Sequence, residues 1–363
     1  MTDRRKFLKI TSTGAWAAPS VGSLFVSTTT KAAPKPKIRI GQIGTKHAHA
    51  TGKITTIRKY GNLYDLVGVV EPDEERRQVL ENSDAYRGVT WLTEEQLLNT
   101  PGLQVVAIET EVCDLLTTAA RCVTAGMHIH LDKPAGESLP QFKEILDNAT
   151  RQGRIVQMGY MYRYNPGFQF IFQAIQAGWL GEVFEAHAVM SKTVPPATRK
   201  ELAEYQGGTM FELGCHLIDA LILALGKPER VTPFIRRTRA PQDNLADNMM
   251  AVFEYPQATA TVRSAVMEVD GFRRRQFVIC GNRGTAMLRP LEPPKLVLTL
   301  DRAQQDFSSG TQEVTLPSLT GRYDGDFTDL AQVIHGDKEH DFSPAHDLAV
   351  QEAILTASGL PLT

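Results

Sequence analysis

The chain has 363 residues and a formal net charge of −2, with 42% of its residues hydrophobic and 22% charged. This length accommodates two domains, each with a sizeable core, and the composition is ordinary for a globular protein. The charge balance provides no basic surface for nucleic acid, so the sequence predicts no nucleic-acid partner. The four cysteines are too few for a disulfide framework and lack the spacing of metal ligands.

The first 32 residues show, in order, the features of a twin-arginine export signal. Arg4 and Arg5 precede Phe-Leu-Lys, a mild apolar run covers residues 14–26, and small residues follow up to Ala32. Proline, glycine and serine interrupt the apolar run, which is too short to span a bilayer. The sequence therefore predicts a periplasmic or extracytoplasmic protein that is exported by the twin-arginine route and has no membrane contact once residues 1–32 are removed. The alternative is a disordered basic tail.

A strand, a glycine turn and a helix come next, and these are the parts of a dinucleotide-binding unit. The strand is predicted over residues 38–44 and the helix over 45–60. A second strand ends at Glu71. In dinucleotide-binding motifs, the acid that binds the ribose hydroxyls follows the glycine turn at roughly this distance, so Glu71 is the candidate for that role. A carboxylate there repels a 2′-phosphate, which favours NAD, with NADP as the alternative cofactor. Lys46 stands where the motif has its second glycine.

Strands and helices continue to alternate over residues 33–160, which predicts a parallel sheet with right-handed crossovers. In such sheets ligands bind outside the carboxyl ends of the strands. Four residues fall at these ends: Gly44, Glu71, Thr110 and Lys133.

The pattern changes after residue 160. Long alternating strands separated by turns predict an antiparallel sheet within residues 161–342. We expect a helix over residues 209–225, with Thr209 as its N-cap, to back this sheet. A final helix, at about 346–358, lies in the segment 343–363.

Glu212, His216 and Asp219 are spaced four and three apart, so a helix would place them on one face. Imidazole is the natural proton acceptor near neutral pH, and His216 is therefore predicted to be the general acid or base. Lys133, at a strand end and followed by proline, is predicted to bond a substrate hydroxyl and to favour the alkoxide. The alternatives are a satisfied core histidine and a solvated surface lysine.

The histidines of the glycine turn raise the question of a metal site. His47 and His49 could bind metal with His128 or His130, or they could be imidazoles at a helix start beside an anion-binding turn. The segment Glu212–His216 lacks the two histidines of the zinc-protease pattern. We adopt the second interpretation and expect no metal.

Together these motifs resemble the glucose-fructose oxidoreductase / inositol dehydrogenase (Gfo/Idh/MocA) family over about residues 37–360. Four motifs carry the resemblance: IGQIG at 40–44, GMHIHLDKP at 126–134, MYRYNP at 161–166 and GGTMFELGCHLID at 207–219. The resemblance implies an α/β fold. An N-terminal Rossmann domain with a doubly wound parallel sheet would precede a C-terminal α/β domain with an open, mostly antiparallel sheet. It also implies a homo-oligomer, a dimer or tetramer, and a last helix that packs back on the first domain.

The resemblance assigns roles to individual residues. The implied catalytic residues are Lys133, His216 and Glu212. The implied cofactor-binding residues are Gly41, Ile43, Gly44, Thr45, Lys46, His47, Glu71, Thr110, Asp132 and Lys133. The implied substrate-binding residues are Arg163, Tyr164, Asn165 and Asp219. The sequence departs from the family's Glu at Asp132, its Asp at Glu212, its Gly at Lys46 and its Thr-Pro-Asn at Thr110-Glu111-Val112.

These observations predict an exported NAD(P)-dependent oxidoreductase. It would transfer hydride between a sugar, cyclitol or polyol and a nicotinamide cofactor that either exchanges or stays tightly bound. One alternative is an NAD-dependent glycosidase that oxidises its substrate transiently and then returns the hydride. The other is a non-catalytic sugar- or nucleotide-binding protein, which the residues Lys46 and Val112 motivate.

Overall fold

The structure is a computed structural model that describes residues 35–204 and 206–363. The export signal predicted for residues 1–32 lies outside the described residues. Within the described ranges, no helix is both long and apolar enough to cross a membrane.

The first part of the chain forms a five-stranded parallel sheet in the order β2-β1-β3-β4-β5. Its strands are β1 (Ile38–Ile43), β2 (Tyr64–Val70), β3 (Val105–Ile108), β4 (His128–Leu131) and β5 (Val156–Met158). Its helices are α1 (Ala50–Lys59), α2 (Glu74–Glu81), α3 (Glu94–Leu98), α4 (Val112–Thr124) and α5 (Leu139–Arg151). Every residue of β3 is buried, as expected for a strand covered on both faces. The strand order reverses between β1 and β3, and ligands bind in the crevice at such a reversal.

The glycine turn differs from the prediction, because α1 begins at Ala50 rather than at Thr45. Residues 44–49 form a loop instead of the first helical turn. In this loop the imidazoles of His47 and His49 turn back to the carboxylate of Asp132, with Nδ1–Oδ2 distances of 3.0 and 3.1 Å. These contacts hold the loop against the end of β4, and the helix therefore begins later in the chain, at Ala50.

The second part of the chain forms an eight-stranded sheet in the order β13-β12-β11-β10-β6-β9-β8-β7. Its strands are β6 (Val183–Ser191), β7 (Arg230–Arg236), β8 (Asn248–Glu254), β9 (Thr259–Ala265), β10 (Gln276–Gly281), β11 (Gly284–Leu291), β12 (Pro294–Leu300) and β13 (Gly310–Val314). The remaining helices are α6 (Pro166–Gln176), α7 (Pro196–Leu202), α8 (Cys215–Leu225), α9 (Gly271–Arg274), α10 (Asp324–Ile334) and α11 (Pro344–Ala357). Strands β6 and β9 pair in parallel and the other neighbours pair antiparallel. The predicted fold class, with one parallel and one mostly antiparallel sheet, is confirmed.

The last two helices return to the first domain. Tyr64 on β2 donates a 2.6 Å hydrogen bond to the carbonyl of Phe327 on α10. Gln351 on α11 donates a 2.5 Å hydrogen bond to the carbonyl of Gly136, beyond β4. Helix α10 did not emerge from the sequence, although it covers the first domain beside the ligand edge.

A π-helical turn, Met210–Gly214, precedes α8 where the sequence predicts one continuous helix. Thr209 is not its side-chain cap, and this prediction is wrong. The Thr209 hydroxyl donates instead to the carbonyl of Ser264 at 3.1 Å, and the Ser264 hydroxyl donates back to the Thr209 carbonyl at 2.9 Å. This exchange fixes the turn to β9. Single π-turns inside helices are frequent at functional sites.

Candidate active site

The glycine turn requires glycine at its first position. Gly44 has φ +87°, and a Cβ there would lie 2.6 Å from the backbone nitrogen of Thr110 at the end of β3. The backbones at the ends of β1 and β3 are therefore so close that no side chain fits at position 44. Gly41 and Ile43 lie inside β1, where a Cβ on Gly41 would overlap the side chain of Leu97. Gly41 and Ile43 therefore affect the ligand edge only indirectly, by setting the position of the β1 backbone.

Glu71 lies buried at the end of β2, in the place predicted for a ribose-binding acid. Its carboxylate accepts hydrogen bonds from the Thr45 hydroxyl and, at 3.1 Å, from the backbone N–H of Asp73. Arg76 donates to the Thr45 hydroxyl and carbonyl, each at 2.6 Å. The structure thus joins two predicted cofactor residues and adds Arg76, which the sequence did not single out.

Lys46 faces outward from the turn. Its ammonium lies 3.5 Å from the carboxylate of Glu111, and both side chains are exposed. An exposed pair of this kind contributes little to stability. Two departures from the family pattern, at Lys46 and in the Thr110-Glu111-Val112 segment, therefore touch each other at the rim of the ligand edge.

Lys133 is buried beside the π-helical turn. Its ammonium donates to the Glu212 carboxylate and to the Glu212 backbone carbonyl, each at 2.8 Å. Burial, the largest single effect, would lower the pKa of Lys133, but the charge of Glu212, its hydrogen bond and the neighbouring Cys215 and Asp132 together raise that pKa above its ordinary value. Burial would raise the pKa of Glu212, and the Lys133 charge lowers it. Both groups are therefore charged at neutral pH.

His216 is buried among aromatic rings. Its ring centroid lies 5.4 Å from that of Tyr162, 6.2 Å from Tyr160 and 6.3 Å from His49. Burial, and then the charge of Lys133, hold its pKa well below the usual range. Its Nδ1 has no hydrogen-bond partner among the described residues. The result is a neutral imidazole with one buried nitrogen that is unpartnered among the described residues.

Asp219 does not share the surroundings of Glu212 and His216. The guanidinium of Arg163 donates to its Oδ1 from Nη2 at 2.6 Å and also reaches Oδ1 of Asp347 on α11 at 2.6 Å. All three side chains are buried. The geometry makes Arg163 and Asp219 a bridge between the 3-10 turn Met161–Tyr164, α8 and α11.

The other two residues predicted on the substrate side also have internal partners. The Tyr164 hydroxyl donates to the Asp329 carboxylate at 2.9 Å. Asn165 caps α6 by accepting from the backbone N–H of Gly167 at 2.9 Å. Both residues line a cavity of about 270 Å³. Tyr162 also lines this cavity, and its ring lies next to that of His216. Neither Lys133 nor His216 lines this cavity, and Tyr162 is the link between it and His216.

Further buried charges lie beneath the ligand edge. The Lys53 ammonium bonds His130 Nε2, and the carboxyl oxygens of Glu109 and Asp326 have no hydrogen-bond partner among the described residues. Lys53 could have been noticed, because it falls on the inward stripe of α1 with Ile54 and Ile57. His128 and His130 lie apart from the His47–His49 pair, since His130 Nδ1 bonds Gln157 at 2.8 Å and His128 Nδ1 accepts from the Ile155 backbone at 3.1 Å.

A doubly wound sheet with a glycine turn and a buried acid at its ligand edge is the architecture of a dinucleotide-binding oxidoreductase. Residues 38–160 match the oxidoreductase family with an NAD-binding Rossmann fold, and residues 168–287 match the GFO/IDH/MocA C-terminal domain. The two matches cover more than half of the chain, which belongs to the Gfo/Idh/MocA oxidoreductase family. The family, the enzyme class and an NAD(P) cofactor are confirmed.

Relatives agree with this assignment. The Escherichia coli protein YdgJ, an uncharacterized oxidoreductase, is 25% identical over 87% of this chain and 94% of its own length. The trans-1,2-dihydrobenzene-1,2-diol dehydrogenase of Macaca fascicularis is 23% identical over 45% of this chain and 48% of its own length. The chain thus spans about half the length of that relative.

Solved structures share the fold. UDP-N-acetylglucosamine 3-dehydrogenase GnnA from Acidithiobacillus ferrooxidans superposes with a TM-score of 0.74 at 18% identity, covering 90% of this chain and 99% of GnnA. A protein from Desulfitobacterium hafniense described as an NADPH-dependent oxidoreductase gives a TM-score of 0.75 at 19% identity, covering 89% and 95%.

Proposed function

We propose that this chain is an exported oxidoreductase that transfers hydride between a hydroxyl-bearing carbon of a sugar, cyclitol or related polyol and NAD(P). The buried Lys133–Glu212 pair beside the neutral His216 carries the proposal. The names of two similar proteins, a UDP-N-acetylglucosamine 3-dehydrogenase and a dihydrodiol dehydrogenase, support a substrate rich in hydroxyls.

The ligand edge fits the cofactor. At Gly44 a Cβ would fill the space where the backbone must stay open, and Glu71 offers a buried carboxylate to ribose hydroxyls. Thr45, held between Glu71 and Arg76, completes this end of the site. NAD(P) would be held by these residues and would supply the hydride acceptor or donor when bound.

His216 would take the proton of the substrate hydroxyl. A proton acceptor must be unprotonated at the working pH and must have a lone pair within reach. The low pKa of His216 meets the first condition and its unpartnered Nδ1 meets the second. Tyr160 and Tyr162 keep the ring in place and limit the water around it.

Lys133 would stabilise the developing alkoxide. An ammonium group has three donors, and two of these bond Glu212. The third is left for a substrate oxygen, where a fixed positive charge in a dry site favours the anionic form. Glu212 would act as a positioning residue that keeps Lys133 charged.

The test is turnover of an identified polyol by the Lys133→Met and His216→Ala variants, followed by the absorbance of the reduced nicotinamide. We expect kcat to fall by roughly 10²–10⁴ in each variant, the usual contribution of one acid–base group. Lys143→Met, on the surface of α5, is the matched control and should turn over normally. Unchanged kcat in both variants would refute the assignment of catalytic residues. Release of free sugar from a glycoside without net cofactor reduction would favour the glycosidase alternative.

We propose export on the basis of Arg4, Arg5 and the apolar run that follows them. In a bacterial host with a working twin-arginine system, the full chain should be found outside the cytoplasm. The double change Arg4→Lys with Arg5→Lys should keep it inside, whereas Lys6→Arg should not. Equal fractionation of all three forms would contradict export by this route.

We also propose a homo-oligomer that forms through the outward face of the eight-stranded sheet. Met287 on β11 is exposed on this face, flanked by Val278 on β10 and Val297 on β12. Phe234, paired with Met250, is exposed on the same sheet. Light scattering should report an oligomer that Met287→Lys weakens. A monomeric wild-type chain would rule the proposal out.

A further inference from the structure

We propose that His47, His49 and Asp132 bind a divalent first-row transition-metal ion between the glycine turn and the end of β4. Their ligand atoms lie within 4.8 Å of one another. His47 and Asp132 are buried and His49 is partly buried. This differs from the expectation drawn from the sequence, which considered His128 and His130 as partners, assigned no metal, and did not bring Asp132 to the two histidines.

The hydrogen bonds of His47 are compatible with a lone pair on its Nδ1. Nε2 lies 3.1 Å from the carbonyl oxygen of Lys133, and a carbonyl can only accept, so Nε2 carries the hydrogen. The backbone N–H of His49 points at Nδ1 from 3.3 Å, which fits a lone pair there. An imidazole that donates its other N–H to a backbone carbonyl is the usual outer arrangement around a metal-bound histidine.

The lone pair of His47 Nδ1 faces a carboxylate oxygen. Oδ2 of Asp132 lies 3.0 Å away, too close for two unprotonated acceptors without a cation or a proton between them. His49 Nδ1 approaches the same oxygen at 3.1 Å. Ligand atoms bound to one ion at about 2.1 Å are separated by roughly 3 to 4 Å, so these spacings suit coordination after small shifts.

Glu109 lies beside the proposed site. It is fully buried at the end of β3, and neither of its carboxyl oxygens has a hydrogen-bond partner among the described residues. Oε2 lies 3.8 Å from His47 Nδ1. A bound ion would give this buried carboxyl group a charged partner. Glu109 is therefore placed to be a fourth ligand.

Two imidazoles and one or two carboxylates define the class of ion. Nitrogen donors favour zinc, iron, nickel, copper or cobalt over magnesium and calcium, which prefer oxygen. The ion would join the loop of residues 44–49 to Asp132, which adjoins Lys133, and His49 also lies 6.3 Å from the His216 ring. The ion would thus hold residues 44–49 against the end of β4. This structural role does not depend on the catalytic roles proposed for Lys133 and His216.

The test uses the untagged full chain, because a histidine tag would itself bind metal. Elemental analysis after gel filtration in chelator-free buffer should find about one zinc, iron or other first-row ion per chain. Cobalt(II), titrated into chelator-treated protein, should bind once per chain and give the visible d–d absorption of nitrogen coordination. His49→Ala and Asp132→Asn should each weaken cobalt binding by at least about 100-fold, the loss of a direct ligand exceeding that of an outer partner.

Controls separate this site from surface capture. His335→Ala removes a histidine of the second domain and should retain the ion, and His49→Asn covers the case in which His49→Ala fails to fold. Far-ultraviolet circular dichroism checks folding of every variant. Wild-type protein that neither retains nor binds an ion would overturn the proposal and leave His47 as a hydrogen-bond partner of Asp132. Equal cobalt affinity in wild type and a folded His49 variant would overturn it as well.

Discussion

Lys133 donates two 2.8 Å hydrogen bonds to a single residue, Glu212, which lies 79 positions later in the chain. One bond reaches the carboxylate and the other reaches the backbone carbonyl. The second bond is available because Glu212 lies in a π-helical turn, where the carbonyls depart from the i→i+4 pattern. The Rossmann domain and the second domain are therefore joined at the ammonium group of Lys133, in the candidate active site.

The Glu212 charge should set the alkaline limit of activity. In Glu212→Gln burial remains while the opposing charge is lost, so the pKa of Lys133 should fall. The ammonium is then lost at lower pH, and the alkaline limb of the kcat/KM profile should move to lower pH. Glu212→Asp, which keeps the charge, is the control and should shift far less. An alkaline limb unchanged in Glu212→Gln would show that Lys133 does not control it.

Asp326 should make the protein less stable as the pH rises. Burial raises its pKa to about 7 against the pull of Lys53. An unfolded Asp titrates near ~3.9, so between about pH 4 and 7 the native state holds the extra proton and the unfolding free energy falls. Asp326→Asn should therefore melt at a higher temperature than wild type at pH 8, with the difference vanishing near pH 4.

Asp329→Asn is the matched control for this experiment. Asp329 lies on the same helix, but its carboxylate bonds Lys338 and Tyr164. Its removal should lower the melting temperature at pH 8. If both variants changed stability in the same direction, the unpartnered carboxyl of Asp326 would not explain the pH dependence.

Arg163 should be a large contributor to stability through its buried partners. Arg163→Met leaves Asp219 and Asp347 buried without the guanidinium that bonds both, which should cost about 3–5 kcal/mol of unfolding free energy. Arg230→Met removes a similar two-pronged contact to Glu254 on the exposed face, where solvent screens the pair, and should cost far less. Denaturant unfolding measures both, and equal losses would argue against the bridging role of Arg163.

Glu71 should determine how tightly NAD binds. Glu71→Ala removes charged hydrogen bonds worth about 1.5–3 kcal/mol, so the NAD dissociation constant should rise roughly 10- to 150-fold. NADP should lose less, because the carboxylate no longer repels its 2′-phosphate. Calorimetry with both cofactors measures the two affinities, and Glu74→Ala, exposed on α2, is the control. An unchanged ratio of affinities would place the ribose elsewhere.

The sequence predicted the cluster of Lys133, Glu212 and His216 because each lies at a position with strong local signals. A strand end followed by proline marks Lys133, and a glycine pair followed by an apolar stripe marks the helix. The roles of these residues stay predictions that the variants above address. The two-sheet fold could also be predicted from the sequence. Strands alternate with helical patterns in the first half of the chain, whereas long alternating strands dominate the second half.

Other features depend on contacts that no local pattern reveals. The loop of residues 44–49 replaces a helical turn because Asp132, more than 80 positions away, binds both of its histidines. The π-helical turn depends on the exchange between Thr209 and Ser264. Helix α10 has a weak apolar stripe, since Asp326 and Asp329 stand on its buried side. Long-range partners override propensity in each case.

The bond from Tyr64 to the Phe327 carbonyl has a consequence for biosynthesis. The face of the first sheet that α10 covers stays open until residues 324–334 have left the ribosome, and the tie from Gln351 to Gly136 forms later still. Contacts this distant along the chain close slowly. The amino-terminal domain therefore cannot mature while the ribosome is still translating, and a chain that must be folded before export would have to wait, complete, in the cytoplasm.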